Sequence, residues 1–345
     1  MTSSADPTAM TPNRASDSDA PRIAARIGCV IINYRTPALI ESCLRSLAPQ
    51  LAANDMRVMV VDNNSGDGSA DQIAAFLDRN EDEDNWKDRV TLVRSQQNTG
   101  FSGGNNIGVD RLDAEFYLLM NSDTLARPGA IAALLAAAER HPDAGLIGPR
   151  LEDEDGAPQI SAFRSIGLLS EFVQPAELRA LERLFPQADA NIPIVDAVTE
   201  AAWVSFACVL IRRAVIDAIG PMDEGYFMYF EDADYCRTAK AHGWRAICDP
   251  SARVVHFRGG SSSVKSAHAA RKRPPAYFYA SRTRYFRKFY GPLGPTIANI
   301  AWLAARGIAR AKAVFGRTPS KACERAASDI WINWRDPLGD RRAPQ

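Results

Sequence analysis

Apolar positions fall into short blocks along the first third of the chain. Runs at 27–32, 58–61, 90–93 and 116–120 are rich in β-branched and aromatic residues, each the length of a strand buried on both faces. Between them the period changes. After Pro37 the residues Leu39, Ile40, Cys43, Leu44 and Leu47 recur at helical spacing, and further helices are expected at 69–78 and 104–112. The strand starts lie 31, 32 and 26 residues apart. That is the length of a β-α unit, and such units bury a parallel sheet between helices. A helix is expected at 128–139. Past Gly148 the alternation weakens, with a helical piece at 170–185, a strand near 203–211, helices at 213–219 and 231–242, and a strand at 253–257. Residues 258–275 read as a basic Gly/Ser-rich loop, and 276–315 are aromatic and basic. No internal repeat is visible.

Composition narrows the class. The 345 residues are 46% hydrophobic and 24% charged, which excludes a wholly disordered chain, a collagen and a polytopic membrane protein. No run of 18 apolar residues marks a spanning helix. Lys+Arg 41 balance Asp+Glu 41, but unevenly: residues 251–345 hold nineteen basic and four acidic side chains. A tail this basic calls for an anionic partner. The first 26 residues are rich in Ser, Asp and Pro without an apolar core, so disorder rather than a secretory signal is expected there. The six cysteines form no CxxC pair, which points to a reducing, cytosolic compartment.

Five polar constellations interrupt this framework. Asp62-Asn63-Asn64-Ser65 follows the second strand, at the carboxyl end where open α/β sheets bind ligands. A carboxylate there can accept hydrogen bonds from a nucleobase or ribose, although turn and cap chemistry would use the same residues. The stretch from Asn98 to Asn106 holds three glycines and three asparagines running into a helix. It can be read as a phosphate cradle or as a flexible capped loop. Asn121-Ser122-Asp123 ends an apolar strand with one carboxylate at its tip, enough for a hard cation whose remaining ligands come from a diphosphate. Glu231-Asp232-Ala233-Asp234 crowds three carboxylates at a helix start, which raises at least one pKa and suits a general base, or simply complements the helix dipole. His256 is followed by Arg258 and a Gly/Ser run.

The order VVDNNS, NTGFSGGNNIG, LLMNSD, YFEDADYC and VVHFRGGSS resembles the inverting GT-A glycosyltransferases of family 2, most closely the rhamnosyltransferase branch. The resemblance spans about residues 27–260. It implies an α/β, Rossmann-like, mostly parallel sheet flanked by helices, with a nucleotide-binding half at 27–125 and an acceptor-binding half at 126–260. Residues 261–345 would be a helical basic extension. By the same resemblance Asp62 reads the donor base with Asn33 nearby, Asn98, Gly103 and Asn106 contact the donor, and Ser122 and Asp123 stand in the DxD-like motif. Asn121 replaces the first acid of that motif. Asp123 and His256 would hold Mg²⁺ or Mn²⁺, Asp232 would be the catalytic base, and Trp203, Ser205 and Glu231 would face the acceptor. Phe206 stands where the family has glycine.

The activity so implied is inverting transfer of a sugar, L-rhamnose from dTDP-rhamnose first, to a lipid-linked or polysaccharide hydroxyl in cell-surface glycan synthesis. UDP-hexose or UDP-galactofuranose donors remain alternatives, as does a non-catalytic domain that binds nucleotide sugar or lipid. A nucleotidyltransferase would want a Gly-rich basic loop after the first strand, and Asn33-Tyr34-Arg35-Thr36-Pro37 has no glycine. In the tail, residues 271–290 interleave aromatics with Arg and Lys. That pattern favours an anionic membrane surface over nucleic acid, or else a helix covering the domain. The expected place of work is the inner face of the cytoplasmic membrane, as a peripheral protein.

Overall fold

The computed structural model describes residues 22–80, 86, 88–194, 196–257, 270–316 and 322–339. The expected N-terminal disorder and the 258–269 part of the basic loop lie outside the described residues, except that the first strand begins at Ile23 rather than 27. The first half follows the β-α rhythm: β1 (Ile23–Asn33), α1 (Pro37–Leu51), β2 (Met56–Asp62), α2 (Ser69–Arg79), β3 (Val90–Arg94), α3 (Gly100–Asp110) and β4 (Leu112–Asn121). The second half is less regular: β5 (Thr124–Ala126), α4 (Ala130–Arg140), β6 (Ala144–Glu152), β7 (Ala162–Phe163), α5 (Leu168–Ala176), α6 (Arg179–Leu184), β8 (Thr199–Ala201), β9 (Trp203–Val204), β10 (Cys208–Arg212), α7 (Arg213–Ile219), α8 (Glu231–Ala241) and β11 (Arg245–His256). The extension supplies α9 (Ala276–Tyr290), α10 (Gly294–Gly316) and α11 (Ala326–Asp329).

Nine strands form one mixed sheet in the order β3-β2-β1-β4-β10-β6-β11-β5, with β8 also on β11. Strands β1 to β4 pair in parallel, as do β6 and β11, while β10 runs antiparallel between β4 and β6. The alternating side chains of the parallel strands feed two cores. Cys29, Ile31, Val58, Val60 and Leu118 meet Ile40, Leu44 and Leu47 of α1 on one face. Val30, Met59, Val61 and Leu119 face the other side, toward Val215 and Tyr235. On that side α3 lies close to β1 because Gly108 faces Val30, where a Cβ would collide with the valine side chain.

Several expected elements are redrawn. Helix α3 starts at Gly100, not Gly104. The helical piece at 170–185 is two helices, since Pro175 closes α5 and Glu177 turns left-handed (φ 53) ahead of α6. The strand near 203–211 is broken at Ser205–Ala207, and its first part pairs with β7 in a separate ribbon. Cys29, Cys43, Cys208, Cys236 and Cys248 are free and buried. Burial pushes the Cys43 thiol up to about 12, so it stays protonated.

The extension does not stand apart from the domain. Arg282 of α9 is buried and bonds Glu171 of α5 at 3.1 and 2.7 Å, and Asn299 of α10 at 2.7 Å. Arg284 pairs with Asp223, and Lys288 with Asp234 at 2.8 Å. Tyr285 and Phe286 sit in a cluster with Tyr226. Of the residues that suggested a membrane-facing helix at 271–290, Tyr277, Tyr279, Arg282, Tyr285 and Phe286 are buried against the domain, whereas Arg271, Lys272, Arg273 and Lys288 are exposed. Among the described residues no helix is long and apolar enough to cross a membrane.

Candidate active site

Strand register assembles one edge of the site. Asn33 pairs with Asp62 across β1 and β2, and Ile32 with Asn121 across β1 and β4, so three polar strand ends stand in a row. Because β2 and β4 flank β1, this is where strand order reverses, the usual crevice of an open α/β sheet. Asp62 is buried, and its carboxylate accepts from Asn33 Nδ2 (2.7 Å), Ser65 Oγ (2.6 Å) and Ser65 N (3.3 Å). Thr36 links this group to Ser122 (3.2 Å) and to Asn33. Asn33 thus positions Asp62, and Ser65 of the same motif bonds both.

The Asn/Gly loop is held differently from its expected part as a cradle. Asn63 Oδ1 accepts the Thr99 N–H (2.9 Å), and its Nδ2 donates to Asn98 Oδ1 (3.1 Å) and the Gly100 carbonyl (2.9 Å). The Gly100 N–H goes to Asn98 Oδ1 (3.0 Å), and the Phe101 N–H goes to the Phe227 carbonyl (2.7 Å). The Gly100 and Phe101 N–H groups, the first two of α3, are thus engaged by protein acceptors. Gly100 has φ +68, and a Cβ there would run into the Phe227 carbonyl. Gly103 is buried in the first turn of α3. The Asn106 amide bonds the Met222 N–H and carbonyl and Glu224, tying α3 to the loop before α8. Asn63 lies in the motif after β2, yet its two-sided clamp shows only in three dimensions.

Asp123 and His256 meet through a short antiparallel pairing. His256 sits opposite Thr124 in the β5–β11 register, and the Phe257 N–H bonds the Asp123 carbonyl (2.9 Å). His256 Nε2 is 3.8 Å from Asp123 Oδ1, and both side chains are buried. A carboxylate oxygen and an imidazole nitrogen at that separation could together hold a divalent cation. No group of three or more His, Cys, Asp and Glu with metal-holding geometry exists among the described residues.

The three carboxylates at the head of α8 have separate surroundings. Asp234 accepts from Tyr226 (2.7 Å), Thr238 and Lys288, which makes it a structural anchor. Glu231 is buried, and its Oε2 has no hydrogen-bond partner among the described residues. Burial, then the neighbouring charge of Asp232, pushes its carboxyl well above the usual carboxylate range. Asp232 is half-buried, with Oδ1 accepting the Ala233 N–H (2.8 Å). Just before them Tyr229 (φ 72) and Phe230 (φ 69) are both left-handed, a costly conformation for aromatic residues. Their rings pack on α9: Tyr229 on Tyr277 and Phe278, Phe230 on Phe278 and Tyr285. Nearby, Trp203 stacks on Phe163 (3.8 Å) and donates to the Arg164 carbonyl, Ser205 accepts the Ala207 N–H, and Phe206 packs edge-on to Tyr235 of α8.

With five polar strand and helix ends at one sheet edge, comparison with known proteins becomes decisive. The profile described as glycosyltransferase like family 2 matches residues 24–291. The chain belongs to glycosyltransferase family 2. It is a nucleotide-sugar glycosyltransferase. The matched span ends just past α9. An N-acetylglucosaminyl-diphospho-decaprenol L-rhamnosyltransferase of Mycobacterium tuberculosis is 28% identical over 267 residues, covering 72% of this chain and 82% of that protein. The low-salt glycan biosynthesis hexosyltransferase Agl10 of Haloferax volcanii is 26% identical, over 62% of this chain and 61% of its own. Among solved structures, the mannosyltransferase PcManGT of Pyrobaculum calidifontis, in complex with GDP-Man and Mn²⁺, superposes with a TM-score of 0.53 at 16% identity. That superposition covers 92% of this chain and 87% of the other, and it shows a GT-A fold.

Proposed function

We propose that this family 2 enzyme transfers L-rhamnose from dTDP-rhamnose to a hydroxyl of a lipid-linked acceptor, with inversion, in cell-surface glycan synthesis. The reading rests on the juxtaposition of Asp123 and His256 beside the Asp62 row. Asp62, held by Asn33 and Ser65, presents an oriented carboxylate for the donor base. Asp123 and His256 would hold Mg²⁺ or Mn²⁺, which when bound would offset the charge of the departing diphosphate. Asp232 takes the proton of the acceptor hydroxyl. The hydroxyl oxygen bonds the anomeric carbon as the bond to the diphosphate oxygen breaks, and the nucleotide leaves from the opposite face. Rhamnose is supported by the M. tuberculosis relative's activity. Purified protein with Mg²⁺ or Mn²⁺ should turn over dTDP-rhamnose in preference to UDP-glucose, UDP-galactose and GDP-mannose. Preference for a UDP-sugar would replace the donor and keep the class.

A lipid-linked acceptor needs the enzyme at a bilayer, and α10 offers the surface for it. Ile297, Ile300 (58% exposed), Leu303 and Val314 (78%) line its outward side, with Leu293 just before it and Trp331 and Trp334 also exposed. No acidic residue occurs from 291 to 323, whereas Arg310 and Lys312 are exposed. Apolar side chains with flanking cations suit an anionic leaflet. The protein should float with anionic liposomes at low salt, and I297D/I300D should not. Failure of the unchanged protein to float would remove the membrane from the proposal.

A further inference from the structure

We propose that Gln159 is a positioning residue that sets the tautomer of His256, so that Nε2 faces Asp123 with a lone pair rather than a hydrogen. This rests on the assignment of Asp123 and His256 to the divalent cation. Gln159 is buried and belongs to the segment that folds back on β6, its N–H bonding the Leu151 carbonyl (2.7 Å). Its side-chain nitrogen lies 2.7 Å from Asp153 Oδ1 and 2.8 Å from the His256 carbonyl oxygen. Both neighbours are acceptors only, so the group facing them must be the NH₂, and its two hydrogens are thereby assigned. The amide cannot be flipped without setting oxygen against oxygen twice. Gln159 Oε1 is then the atom 3.2 Å from His256 Nδ1. An oxygen there requires Nδ1 to carry the hydrogen.

In the neutral ring Nε2 is then the basic nitrogen, and it is the one 3.8 Å from Asp123. Only that tautomer can ligate a cation shared with the aspartate. Gln159 also grips the histidine backbone, so ring and main chain are fixed by one side chain. The arrangement matches the outer-shell hydrogen bond that metal-ligating histidines make through the other ring nitrogen.

The four histidines of this chain make nitrogen-15 spectra of labelled imidazoles tractable. At a pH where the ring is neutral, His256 should show hydrogen on Nδ1. Q159M removes donor and acceptor at nearly constant volume and should give a tautomer mixture, with Mn²⁺ affinity, read from paramagnetic broadening, reduced about 10- to 100-fold. Hydrogen on Nε2 in the unchanged protein overturns the inference, and that result depends on no variant folding. A folded Q159M with unchanged tautomer and affinity overturns it as well. Absence of Mn²⁺ broadening at His256 in the unchanged protein would instead mark the failure of the metal site, and would take the role of Gln159 with it.

Discussion

The two sides of the crevice are ordered by different physics. On the side proposed to take the nucleotide, Asn33, Asp62, Asn63, Ser65, Asn98 and Thr99 satisfy one another through hydrogen bonds. On the side proposed to react, the head of α8 combines two left-handed aromatic residues with a buried carboxyl, one of whose oxygens has no partner among the described residues. An aromatic stack supplied by α9, some fifty residues further on, holds that turn in place. A binding surface gains from a saturated polar network that does not reorganise when ligand arrives. A reacting group is held instead by packing that overcomes local strain. The base side should therefore be the more sensitive to distant changes.

Asp232→Asn gives the largest expected effect and sharpens the contrast. It should lower transfer by about 10²- to 10⁴-fold, with donor affinity measured by calorimetry little changed. Loss of donor binding would place Asp232 on the nucleotide side. Next, Gly100→Ala strikes the junction of the two sides, because its Cβ would collide with the Phe227 carbonyl at φ +68. A destabilisation of about 3 kcal/mol is expected in urea unfolding. A neutral result would mean that the junction yields.

Asn63→Ala should cost about 2 kcal/mol by leaving the Thr99 N–H and other buried groups unpaired. It should weaken donor binding and leave the turnover of bound donor near normal. An equal loss in turnover would show that the two sides are not separable.

The smallest effect concerns Glu231. Its folded pKa is raised, so ionising it opposes folding. That cost is absent below the unfolded carboxylate value of about 4.3 and grows as pH rises above it. Glu231→Gln should therefore gain thermal stability over the unchanged protein as pH goes from 4 to 8. A pH-independent difference would show that Glu231 ionises freely in the folded protein.

How much of this was legible in the chain also divides by side. Asp62, Asn121 and Asp123 follow abruptly on apolar strands, so their place at strand ends follows from pattern alone, and the β-α spacing marks the parallel strands as far as β4. Beyond that, the controlling facts are long-range. Nothing local marks Tyr229 and Phe230 as left-handed, because the reason lies in Tyr277, Phe278 and Tyr285. The basic-aromatic run at 271–290 carries the same residues whether it faces a lipid surface or the carboxylates of Glu171, Asp223 and Asp234, and only the fold decides. Asn106 stands in the right motif but serves the loop at Met222, and Gln159 lies in no motif.

The central claim is a single displacement with Asp232 as the only base. The anomeric configuration of the product, read by NMR after transfer from the preferred donor, tests it most directly. The account predicts the anomer opposite to that of the donor. A product with the donor's own configuration would contradict single displacement and require a second nucleophile in the site.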